Sequence, residues 1–526
     1  MIDLEKKQPV FVREATGLVR EVGAWPSFMA VMALVTGGVP ILWVATMYTA
    51  PGANWPLAYF IAFVPTLLMA GLFTIIGMSM PRSGGDYVFT TRAINPYVGF
   101  LNYWGVALAF ILNLGIFSYY TGTYFGYVVA GLGAFYSAPN IAGIGAYLTQ
   151  PAPSFALAAT VIIVSCVLSL IRPRHTWALV YWSGIVSLAA TVVMLVALGG
   201  ISQNNFASSF NAFMGNSTAY QGVIQQGGLT PPSDKMLATG AALPFAWFAY
   251  TWYNLPTTWS GEMKNVKKSM PIAIVVAMIA IALYYIIFSV IVTNAFGQPF
   301  LDNWSSLAAS GTAPIVGVGG FVPFFALMVY KSLPLYLIMF FALWLPIFFE
   351  FPPLIISQTR YLFAWSFDRI LPEKISSVNE RFHTPIVATV LVTIGGVISA
   401  GLVSFLPNSG EFTTLAFTMF SFGFIIPALA AIIFPYRKKQ LFEQNFVTKK
   451  VLGLPLLSWL GLGSAVYLIY STYLAHQSGT LPIDSFSITM YGTIYLLGAV
   501  VLVAGYLRMR GKGLPLNLVF AEIPPE

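Results

Sequence analysis

One carboxylate stands inside an apolar run. Glu350, in LWLPIFFEFPPLII, precedes Arg360 by about ten residues and so lies about 15 Å below it if the run is helical. In hydrocarbon a carboxyl group is expensive and serves by default as a proton carrier or a cation ligand. The plainer role is a neutral, hydrogen-bonded Glu that pins helices together. Two other stretches free backbone groups where water is scarce. Thr36, Gly37, Gly38, Val39 and Pro40 fall halfway along the first apolar run, and the stretch from Phe245 to Pro271 loses helical character around Tyr250 to Pro256. A glycine pair followed by a residue without an N–H unwinds a helix locally, although close packing with a proline kink would use the same residues.

The two interruptions gain meaning as a pair. They fall in the first and sixth apolar segments, corresponding members of two halves of five, which is the pattern of an inverted-repeat transporter site. Half-helix N-termini there offer N–H groups to a carboxylate, and freed carbonyls accept an ammonium or a cation. An amino acid zwitterion meets both demands. Tyr250 and Trp252, at the second interruption, are expected to shape the side-chain pocket, while Trp247, Tyr253 and Trp259 fit packing and interfacial anchoring as well. Asn113 in the third segment is a further candidate, for which an interhelical hydrogen bond is an equal account. No metal-ligand spacing, phosphate-cradling loop or nucleophile triad occurs, and His175, His383 and His476 fall in loops or at their edges. The expectation is a protein that is not an enzyme and has no cofactor or metal.

The elements that must position these residues follow from composition. Hydrophobic residues make up 58% of the chain and charged residues 8%, with a mean hydropathy of +0.79, against about 25% charged in soluble domains. This is an all-α polytopic membrane protein. Twelve spans are expected, near 26–49, 56–79, 97–130, 153–171, 177–200, 237–260, 271–295, 335–359, 385–405, 413–434, 453–474 and 488–507. They divide the chain into an N-terminal segment 1–25, a five-helix repeat 26–200, an exposed loop 201–236, a second, inverted five-helix repeat 237–434, a basic loop 435–452, two further helices 453–507 and a tail 508–526. The run Ala313–Leu327 reads either as a re-entrant or surface-lying piece or, being too short to span, as an ordered extracellular loop.

Charge assigns the sides. Every Lys and Arg except Lys235 and Lys331 falls on alternate loops starting from the N-terminus, which makes both termini cytoplasmic by the positive-inside rule. The formal charge of +8 is split among short loops and forms no groove for nucleic acid. The basic loop PYRKKQLFEQNFVTKK could hold anionic lipid at about 1 kcal/mol per nearby cation, or serve topology alone.

Three motifs taken together resemble the amino acid, polyamine and organocation transporter superfamily, in its amino acid permease branch. PRSGGDYVFTTRAINPYVGF from Pro81 is similar to the loop after the second span. FAYTWYNLPTTWSGEMKNVKKSMP from Phe248 is similar to the sixth-span motif, at Phe248, Tyr250, Glu262, Lys264, Asn265 and Pro271. SQTRYLFAWSFDRILPEKISSVNERFHTPIVA from Ser357 is similar to the loop after the eighth span, at Arg360, Asp368, Leu371, Pro372, Thr384 and Pro385. The resemblance implies substrate held between broken first and sixth helices and moved by alternating access across the cell membrane. It places Gly37, Gly38 and Val39 at the substrate carboxylate, and Phe248, Ala249, Tyr250 and Thr251 at its amino group. Three positions depart from the pattern: Trp252 replaces a usual glycine, Asn254 a frequent acid, and Gly261 the first of two glutamates. The stretch Trp177–Gly200 lacks the lysine of some proton-coupled relatives, and Leu335–Ile356 lacks the hydroxyls of sodium-coupled ones. Proton-coupled symport through Glu350 is therefore expected, with exchange or carriage of polyamines and other organic cations as alternatives and a non-transporting sensor as a remoter one.

Overall fold

A computed structural model describes residues 17–406, 409–443, 447–477, 484–513 and 520. Lys6, Lys7 and Arg13 of the expected N-terminal segment, and most of the tail, lie outside the described residues. The helices that concern the site begin with α1 (Ala24–Thr36), α2 (Val39–Thr46), α3 (Trp55–Ser79), α4 (Gly85–Ala93) and α5 (Pro96–Phe135). There follow α6 (Pro139–Leu148), α7 (Pro151–Leu170), α8 (Pro173–Gly199), α9 (Gln203–Met214), α10 (Ala219–Gly227) and α11 (Lys235–Ala249). The second half adds α12 (Val266–Pro271), α13 (Ala277–Phe296), α14 (Gln298–Ala309), α15 (Val322–Tyr330) and α16 (Leu333–Phe367). Last come α17 (Ile386–Phe405), α18 (Ser409–Arg437), α19 (Lys439–Glu443), α20 (Leu456–Gln477) and α21 (Ser485–Gly511).

Among the described residues ten helical stretches are long and apolar enough to cross a membrane, and together they make a multi-pass membrane protein. The sixth expected span is not among them, because α11 stops at Ala249 and the chain continues through 3-10 turns at Leu255–Thr257 and Ser260–Glu262. The eleventh expected span is α20, a helix of 22 residues diluted by Ser, Thr and Tyr.

Local chemistry sets the helix starts. Proline occupies the first turn of α3, α5, α7 and α8, where its missing N–H is no loss. Asn54, Asn95 and Asp234 accept the orphan N–H groups at the starts of α3, α5 and α11. α16 stays helical through Pro346, Pro352 and Pro353.

Residues 201–236 are more than the exposed loop their polarity implies. They contain α9 and α10, and the i, i+4 pair Phe206 and Phe210 is buried with Tyr220 under the helix ends. Polar residues on the outer face mask that stripe in a composition reading. The third span extends to Phe135 rather than 130, and α6 folds back along it. The run Ala313–Leu327 holds only the start of α15, whose apolar side chains are buried.

α1 packs against α8 and α16, and α5 packs against α16, α17 and α18. α8 and α21 lie at the periphery, with Trp182, Val196, Leu496 and Val503 exposed, as a lipid-facing surface requires.

Candidate functional site

The first span breaks where the glycines stand. α1 ends at Thr36, Gly38 takes φ 71° as the N-cap of α2, and Pro40 lies in the first turn of α2. A C-terminal end and an N-terminal end thus face each other at mid-span. Backbone acceptors lie on one side, and unused N–H groups with the positive end of a dipole lie on the other.

The second interruption faces the first. The last turn of α11 tightens, with Tyr250 N–H and Thr251 N–H donating to Trp247 O and Phe248 O at 3.0 Å each. The hydroxyl of Tyr285 in α13 joins the two breaks: it lies 2.5 Å from Val35 O and 3.0 Å from Ala249 O. One proton thus serves carbonyls freed at the ends of α1 and α11. Tyr285 is absent from the candidates read from sequence. Its signal was a phenol in the middle of an apolar span, a polar tip that needs a partner there.

Glu350 reaches the same place from α16. It is fully buried, and neither carboxyl oxygen has a hydrogen-bond partner. A Cβ built on Gly37 would stand 1.8 Å from Glu350 Oε2, so no other residue type fits at 37 while the carboxyl group is there. Gly38 faces Phe117 and Ile347, its own Cβ position being 3.3 Å from the ring of Phe117.

Trp252 completes the cluster. Its indole meets Phe117 at 4.9 Å and Phe110 at 6.0 Å between centroids, and its Nε1 is buried without a partner. Its φ is 78°, left-handed backbone that favours glycine. That conformation gives a physical reason for the glycine of the resembling motif, and this chain fits tryptophan there at the expense of strain. Asn113 lies on the face of α5 that carries Phe110 and Phe117, three and four residues away. Its amide donates to Ala109 O at 2.8 Å and its Oδ1 is buried and unpaired. Tyr250 packs against Tyr59 and Tyr285 and donates to Tyr59 O at 3.2 Å.

The remaining candidates are less central. Val39 is buried in the first turn of α2, Phe248 is buried beside Phe245, and Thr251 donates to Phe248 O. Thr36 donates to Met32 O and lines a cavity of about 240 Å3 between α1, α8, α13 and α16, together with Met32, Gly184, Ser187 and Tyr284. That cavity lies beside the break and holds neither Gly37, Glu350 nor Trp252.

Beyond the break, at the basic end of the bundle, the three sequence motifs lock together. Arg360 grips Glu262 with Nε 2.5 Å from Oε1 and Nη2 2.8 Å from Oε2. Arg92 grips Asp368 at 2.8 and 2.6 Å, and Tyr87 adds a third bond of 2.7 Å. Asp86 accepts from Tyr361 at 2.8 Å and from Asn254 at 3.3 Å; burial pushes its carboxyl up to about 6, against the pull of those bonds. An acid at 254 could not donate this bond without a proton, so Asn254 suits its neighbour. Gly84, at φ 68°, passes so close to α16 that a Cβ would meet Ala364 Cβ at 2.9 Å. The chain before α1 joins the same block, Val22 exchanging backbone bonds with Glu262 and Lys264 at 3.0 and 2.8 Å. At the opposite end Asp302 of α14 accepts from Gly52 N–H at 2.9 Å, Ser305 accepts from Tyr48 N–H, and Gln298 donates to Ala53 O.

Comparison with known proteins adds relatives to this geometry. The family model described as amino acid permease matches residues 22–503. The methylthioribose transporter of Bacillus subtilis is 23% identical, over 90% of this chain and 98% of its own. The branched-chain amino acid permease of the same organism is 24% identical, over 80% and 82%. Its serine/threonine exchanger is 22% identical, over 81% and 86%.

Proposed function

From the premise that the chain belongs to the amino acid permease family, we propose that it is a secondary active transporter that moves amino acids across the cell membrane by alternating access, as a proton-coupled symporter. The observation that carries this reading is the meeting of the two interrupted helices at one phenol, with an unpaired carboxyl group against the first of them. Transporters need such a centre because irregular backbone at mid-membrane is tolerated only where protein, substrate or ion satisfies it.

The proposed layout is twelve spans, the first ten as two inverted five-helix repeats and two more following, with both termini cytoplasmic. The substrate carboxylate is held by the amides at Gly38 and Val39; Gly37, whose own N–H donates to Ala33 O at 2.7 Å, lines the break beside them. Its ammonium is held by carbonyls from Phe248 to Thr251, and Tyr250, Trp252 and Asn113 face its side chain. Glu350 carries the proton. Exchange without a proton is a second reading, favoured by similarity to the serine/threonine exchanger.

Uptake into proteoliposomes tests the choice, with labelled amino acids and methylthioribose offered under a proton gradient, a sodium gradient or counter-substrate. Symport predicts concentrative amino acid uptake under the proton gradient alone, lost in Glu350→Gln. Movement only against counter-substrate, unchanged in Glu350→Gln, would establish exchange.

A further inference from the structure

Glu350 and a substrate carboxylate are drawn to one end of one break, a relation that rests on the transporter reading above. Glu350 Oε2 fills the space into which a side chain at 37 would grow, and the unused amides of α2 begin at the next residues, Gly38 and Val39. Neighbouring Cα atoms are about 3.8 Å apart, so a carboxylate held on those amides would lie on the order of 5 Å from Glu350. At that separation, and an effective dielectric of about 20, two negative charges weaken binding on the order of a hundredfold.

The surroundings of Glu350 offer no relief. Among the described residues no hydrogen bond or ion pair reaches it. The titratable groups that face it are the phenols of Tyr124 on α5 and Tyr285 on α13. The Tyr285 proton is already given to Val35 O and Ala249 O. Carbonyl ends of this kind take a hydrogen bond from a carboxylic acid and give none to a carboxylate.

We propose that the substrate's α-carboxylate and a proton on Glu350 bind as a pair: the amino acid settles on the α2 amides only when Glu350 is neutral, and its carboxylate is the group that reads the proton. Coupling then belongs to the carboxylate and not to the side chain or the ammonium. A primary amine of the same side chain escapes it.

The test is equilibrium binding to the full chain in nanodiscs from pH 5.5 to 8.5, with leucine, serine and arginine, each beside its decarboxylated amine (3-methylbutylamine, ethanolamine and agmatine). In the wild type the bound amino acid is expected to weaken by up to about tenfold per pH unit as pH rises, while its amine shows no such weakening. Glu350→Gln is expected to bind the amino acid with a flat pH profile. Amino acid binding that is flat in the wild type, or equal weakening of the amine, overturns the proposal while leaving the transporter reading intact, and neither outcome needs the variant. Retention of the slope in Glu350→Gln also overturns it. Failure of every amino acid to bind at any pH counts against the transporter reading itself.

Discussion

Gly37 and Glu350 are complementary in the strict steric sense: a methyl group on the first would stand 1.8 Å from a carboxyl oxygen of the second. A residue of any other type at 37 must push α16 away from the break or force the carboxyl group out of it, and a buried carboxyl group has few other places to go. The added methyl would also stand 2.7 Å from Ala33 O, so relief by side-chain motion is partial.

Gly37→Ala is therefore expected to lower uptake more than tenfold. Its destabilisation should be smaller by about 1 kcal/mol when Glu350→Ala is already present, since contacting residues couple by roughly that much. Thermal unfolding of the two single variants and the double variant closes the cycle; additivity would mean that the two residues do not meet.

Tyr285→Phe removes one hydroxyl and leaves Val35 O and Ala249 O without their shared donor. A buried group deprived of its partner costs about 1–3 kcal/mol. The expected result is a lower melting temperature together with slower uptake, because both interrupted helices lose the same anchor. A variant that melts lower but transports normally would make Tyr285 structural only.

At Trp252 the backbone and the side chain pull in opposite directions. The left-handed φ of 78° strains any non-glycine residue by about 1–3 kcal/mol, whereas the indole fills the space between Phe110 and Phe117. Trp252→Ala gives up the packing and keeps the strain; Trp252→Gly gives up both. The glycine variant is expected to be more stable than the alanine variant by about 1 kcal/mol. Both variants should accept larger side chains than the wild type in a competition assay.

Much of this was legible beforehand, and the physics says which part. Long apolar runs, Gly37–Gly38 and the polar stretch after Tyr250 declare themselves because hydrocarbon tolerates so few arrangements of a polar backbone. Glu350 is conspicuous for the same reason. Partnerships across the bundle are another matter: nothing local to Tyr285 names Val35 and Ala249, and nothing local to Glu262 names Arg360, because pairing depends on tertiary packing. α9 and α10 were missed since their few buried aromatics are diluted by Asn, Gln and Ser.

Glu262 and Arg360 bear on the block at the basic end. The pair is buried and bidentate, and removal of one partner from such a pair costs about 3–5 kcal/mol by stranding the other. Glu262→Ala should therefore destabilise far more than a surface substitution. Arg360→Lys should rescue little, since an ammonium cannot make the paired bonds of a guanidinium. Near-wild-type melting of Arg360→Lys would show that the geometry of the fork does not matter.

Asp302 makes the opposite end sensitive to pH. Burial pushes its carboxyl up to about 7, with the bonds from Gly52 N–H and Gln298 acting the other way. The unfolded chain releases this proton near the ordinary aspartate value of 3.8. Between about pH 4 and 7 the folded protein therefore holds the proton and the unfolded chain does not, so stability falls as pH rises through that window and levels off above it. The melting temperature of the wild type is expected to decline from pH 5 to 7, with this contribution levelling off by pH 8. Asp302→Asn keeps an acceptor for Gly52 N–H and titrates nothing there, so its profile should lose that decline. An identical decline in Asp302→Asn would assign the effect to other groups, Asp86 at the basic end being the first to examine.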